Sequence, residues 1–87
     1  MDTVAQINIL ISLAEEMGIE VRHASLGGNG GGLCTIRGER VLFVDTAADA
    51  ATRLEQTTHA LAQLPEIEAR FVRPDLRELL ESHRRRG

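Results

Sequence analysis

Eighty-seven residues, 43% hydrophobic and 26% charged, make one domain around one core, too little chain for an enzyme with separate cofactor and substrate domains. Ten basic residues against thirteen acidic leave a net charge of −3. That balance argues against general nucleic-acid binding, since affinity for phosphate backbones comes from clustered Lys and Arg.

The first predicted element is a helix over residues 4–17. Thr3 and Gln6 form a capping box, and Gly18 supplies the left-handed stop. Ile7, Leu10, Ile11, Ala14 and Met17 recur at i, i+3, i+4 spacing. Ile9 and Leu13 widen this stripe beyond what a small sheet would cover, which makes them candidates for contact with a second subunit.

Three strands are predicted next, over 19–25, 33–37 and 40–45. Gly38-Glu39 suits a two-residue type II′ turn that pairs Arg37 with Arg40, Ile36 with Val41 and Cys34 with Phe43. An antiparallel meander then sets Val21 opposite Ile36 and His23 opposite Cys34. The face bearing Val21, His23, Cys34, Ile36, Val41 and Phe43 is expected to pack on helices. The opposite face carries Leu33, Thr35, Leu42 and Val44; Leu33, Leu42 and Val44 are greasy enough to need a covering partner and join the candidate interface.

A second helix over 47–64, capped by Asp45 or Thr46 and stopped by Pro65, turns Ala50, Ala51, Leu54, Thr58, Leu61 and Leu64 inward. Residues 66–72 alternate and read as extended. A last helix starts with Pro74 in its first turn and uses Leu76, Leu79 and Leu80. Arg84, Arg85 and Arg86 suit the negative end of its dipole, and residues 83–87 read as a disordered basic tail. Phe43 and Phe71, the two aromatics, are assigned to the core. The expected fold is α+β in a single domain, 1–87: a three-stranded antiparallel meander in the order α-β-β-β-α-(extended)-α.

Candidate chemistry is sparse. Five Gly among residues 27–32 cannot be a P-loop, which needs Gly-Lys-Ser/Thr entering a helix. They can form a backbone nest for an anion, with Gly28, Gly30 and Gly31 as candidate ligand-binding positions. His23 beside Cys34 would extend that site, because an imidazole can lower a neighbouring thiol pKa. Glu55 and His59 form an i, i+4 pair on a solvated face, and His83 reads as a surface residue. No catalytic constellation, no cofactor and no metal set is expected. A single Cys excludes an internal disulfide framework. With neither a basic leader nor the roughly 20 apolar residues of a membrane span, the expected location is cytoplasmic, away from membranes.

Three segments carry a family resemblance. Ala14-Glu15-Glu16-Met17-Gly18-Ile19-Glu20-Val21, then Val41-Leu42-Phe43-Val44-Asp45, then Arg53 with Thr57-Thr58-His59-Ala60-Leu61 resemble the N-terminal half of ImmA/IrrE-type metallopeptidases, over residues 5–64. In that family the helix after the strands carries His-Glu-x-x-His, two zinc ligands and a water-activating Glu. Here His59 stands at the first ligand, Ala60 at the Glu and Gln63 at the second ligand. The resemblance therefore implies the same element order and a catalytically inactive relic. Taken together, the residues point to a non-enzymatic, self-associating protein-interaction module, a homo-oligomer or the partner of another protein. The alternative is a small ligand- or metal-binding protein built on the glycine loop with His23 and Cys34.

Overall fold

The structure is a computed structural model and describes residues 2–86. Helix α1 (Thr3–Glu16) leads into β1 (Glu20–Ala24), β2 (Gly32–Ile36) and β3 (Glu39–Asp45); α2 (Ala50–Ala62), a 3-10 turn (Pro65–Ala69) and α3 (Pro74–Arg86) follow. The α+β class and the sequence order of helices and strands agree with expectation. The sheet does not: its spatial order is β1-β3-β2, with β1 parallel to β3 and β2 antiparallel to it.

The reason lies in β3. It is the most continuously apolar strand of the three, and a central position buries it along both edges. Val41, Leu42 and Val44 are 1%, 0% and 2% exposed. β1 and β2, with shorter apolar runs, flank it. The hairpin loop is Arg37-Gly38, not Gly38-Glu39, so Cys34 pairs with Val41 and Leu33 with Leu42. Both loop residues have positive φ, 53° for Arg37 and 80° for Gly38, the geometry of a type I′ turn.

For β2 and β3 this topology reverses the expected faces. Val21 stays on the helix-covered side, as expected, but pairs with Leu42, not Ile36. Leu42, Val21 and Leu33 join Leu10, Ala14, Leu61, Ile67, Leu76 and Leu80 in one core. The face expected to be open is the face the helices cover, while Cys34 and Ile36, on the other side, are exposed. Of the candidate interface residues, Leu13, Leu42 and Val44 are buried, and Ile9 and Leu33 are half-buried against the core. The apolar surplus assigned to the sheet is thus enclosed by the chain's own helices.

Helix ends follow local chemistry. Asp2, rather than Thr3, caps α1, its carboxylate accepting from Ala5 N–H at 2.7 Å. Asp49 caps α2 by accepting from Thr52 N–H at 2.8 Å. Helix α2 packs against α1, α3 and the sheet, which explains its small buried residues Thr57, Thr58, Ala60 and Ala62. The Thr58 hydroxyl donates back to Leu54 O at 2.7 Å, so its burial leaves no unmet donor.

Two expectations near the C-terminus fail. Residues 65–69 form a 3-10 turn rather than an extended segment, with Pro65 suited to its start. Residues 83–86, expected as a tail, continue α3, and His83 is buried; Gly87 lies outside the described residues. Ile67 explains the first change, since its 2% exposure anchors the turn in the core.

Candidate functional site

The glycine loop, residues 25–31, owes its shape to the topology. The end of β1, the start of β2 and the end of β3 lie at one end of the sheet, so the chain leaving β1 must pass the tip of β3 to reach β2. Asp45 occupies that tip and is 0% exposed. Its carboxylate accepts from the N–H groups of Leu26 (2.9 Å), Gly28 (2.7 Å), Gly30 (2.9 Å) and Ala47 (2.9 Å). A buried carboxylate is tolerated only with such a full set of donors. Burial acts to raise the Asp45 pKa, but the bonds from Gly30, Leu26, Ala47 and Gly28 outweigh it and hold the group below the ordinary aspartate value. The anion that the nest receives is therefore the protein's own.

With the loop so held, Asn29, Gly31 and Gly32 form one wall of a cleft of about 730 Å³. Thr52, Glu55, Gln56 and His59 of α2, with Gln63 at its C-cap, form the other wall, at spacings that follow one helix face. The His83 ring closes the far end, edge-on to His59 with centroids 5.9 Å apart. Leu33 and Ala60 supply apolar floor. Gln56 joins the two walls: its Nε2 donates to Gly28 O at 3.0 Å, while its Oε1 is buried without a donor. A Cβ at Gly31 would stand 2.3 Å from Gln56 Oε1, so any larger residue here makes the Gln56 amide give way.

Of the sequence-predicted ligand positions, Gly31 lines the cleft, whereas Gly28 and Gly30 turn their N–H groups to Asp45. His23 and Cys34 are not neighbours. They lie on the two edge strands with β3 between them, roughly 10 Å apart across the sheet and about 10 Å further along it, since His23 pairs with Val44 and Cys34 with Val41, and they are on opposite faces. Glu55 and His59 are exposed, as expected, and both also line the cleft, with His83 beside His59. Asp45 and Gln56 were missed. The available signal was a single acid ending the apolar run Val41–Val44 in a chain whose glycine loop is rich in free N–H groups.

A second feature lies where the chain passes from the 3-10 turn to α3. Phe71, expected in the core, is 90% exposed. Beside it a groove of about 310 Å³ is lined by Ile9, Leu13 and Val72, with Glu16 and Arg73 supplying opposite charges. Arg77 holds this segment in place by donating to Arg70 O at 2.7 Å and Ile67 O at 3.5 Å.

Among the described residues, no group of three or more His, Cys, Asp or Glu could hold a metal ion, and no helix is long and apolar enough to cross a membrane. No protein-family model, curated protein or solved structure matches the chain.

Proposed function

We propose that the protein is a non-enzymatic, self-associating interaction module of the cytoplasm, with the Phe71 groove as its contact surface. The observation that carries this reading is the 90% exposure of Phe71 in a chain that has only two aromatic residues. An exposed phenyl ring leaves roughly 150–250 Å² of mostly apolar surface in water. The groove beside it has room for a second ring, and Ile9, one of the contact residues expected from the sequence, lines it.

Charge favours a second copy as the occupant. Glu16 and Arg73 border the same groove, so a two-fold arrangement can set each against its opposite in the partner. Exchange of two Phe71 rings buries less than a standard interface, which places the contact among weak, reversible dimers. Sedimentation velocity over a concentration series tests this. The native chain should show mass rising with concentration, and Phe71→Ser should remain monomeric throughout. A native chain that stays monomeric at millimolar concentration overturns the reading.

A further inference from the structure

We propose that the cleft between the glycine loop and α2 binds a small molecule that presents a planar edge of two parallel N–H donors, as a guanidinium ion or a guanine-type base does. The lining favours a donating ligand over a phosphate. No Arg lines the cleft among the described residues, and the chain contains no Lys. The loop N–H groups that a nest would offer to a phosphate, those of Leu26, Gly28 and Gly30, are directed to Asp45. A phosphate would therefore meet neither an Arg or Lys side chain nor these three N–H groups in the cleft.

What the cleft does offer is acceptors. Glu55 carries a carboxylate at its wall, and Asn29 and Gln63 add amide oxygens. Gln56 Oε1 is a buried acceptor with no donor at the seam between loop and helix, the kind of atom whose environment a donating ligand completes. A carboxylate receives two parallel N–H bonds from a planar fork, and the pairing is directional as well as charge-assisted. Leu33 and Ala60 give a flat group an apolar floor. The volume, about 730 Å³, is that of a small-molecule site. The loop is already ordered by Asp45, so a ligand does not bear the entropy of fixing it.

Amide NMR of the full chain, titrated separately with agmatine, guanosine and inorganic phosphate, tests the proposal. Agmatine or guanosine should move the amide signals of residues 29–33 and 52–63, and whichever does so identifies the source of the donor edge. Glu55→Gln, a change at an exposed side chain, should weaken that binding by about tenfold or more. Phosphate should move nothing in the cleft. The proposal is overturned if neither donor compound shifts these amides at millimolar concentration, if phosphate does, or if Glu55→Gln binds as the native chain does.

Discussion

The glycine loop and the 65–73 segment are the two long irregular stretches of the molecule, and they are ordered by opposite means. In the first, a buried anion gathers backbone donors: Asp45 takes four N–H groups. In the second, a cation gathers backbone acceptors: Arg77 donates to two carbonyls. Irregular backbone has to satisfy its polar groups somehow, and the choice of partner decides what faces outward. Around Asp45 the chain turns its donors inward and leaves an acceptor-rich cleft. Around Arg77 the partner is half-buried and the segment leaves a phenylalanine in water.

The contrast ranks the consequences of mutation. Asp45→Ala should have the largest effect, because four N–H groups lose their shared acceptor and the glycine loop its anchor; thermal denaturation should register a fall in Tm of more than about 10 °C. The same carboxylate makes the fold acid-sensitive. Its folded-state pKa lies below the unfolded value near 3.9, so its contribution is complete above that pH and disappears as pH falls through the folded pKa. Acid denaturation should therefore be flatter in Asp45→Ala than in the native chain.

Arg77→Ala comes next and should lose about 1–2 kcal/mol, because it removes two bonds to carbonyls where Asp45→Ala removes an acceptor shared by four N–H groups. Gly31→Ala follows: its methyl group meets Gln56 Oε1, the end of a flexible side chain, so the amide turns aside and its bond to Gly28 O is lost, at about 1 kcal/mol in denaturant titration. If Arg77→Ala destabilises more than Asp45→Ala, the proposed difference between the two segments is wrong. Phe71→Ser should be the mildest, within about 0.5 kcal/mol of native stability while abolishing association.

Local features were legible in the sequence. Helix periodicity, the strands, the stop at Gly18 and the start at Pro74 follow from side-chain spacing and backbone restriction, and the structure keeps them within a few residues. The pairing of strands was not. Leu33, Leu42 and Val44 on one face and Cys34, Ile36, Val41 and Phe43 on the other are about equally apolar, so alternation alone does not say which side the helices cover. That choice rests on β3 taking the centre, a non-local event. The cleft stayed hidden for the same reason, since it exists only because the loop crosses the tip of β3. Phe71 misled because alternation over 66–72 imitates a strand, whereas Pro65 and Ile67 instead set a 3-10 turn that leaves the ring outside.

Hydrogen exchange at the amides of Leu26, Gly28, Gly30 and Ala47, measured by NMR on the unliganded chain near neutral pH, tests most directly whether the loop is ordered from within. Bonds to a buried carboxylate predict slow exchange at all four, collapsing together in Asp45→Ala. Exchange at the rate of an unstructured peptide in the native chain would contradict the account.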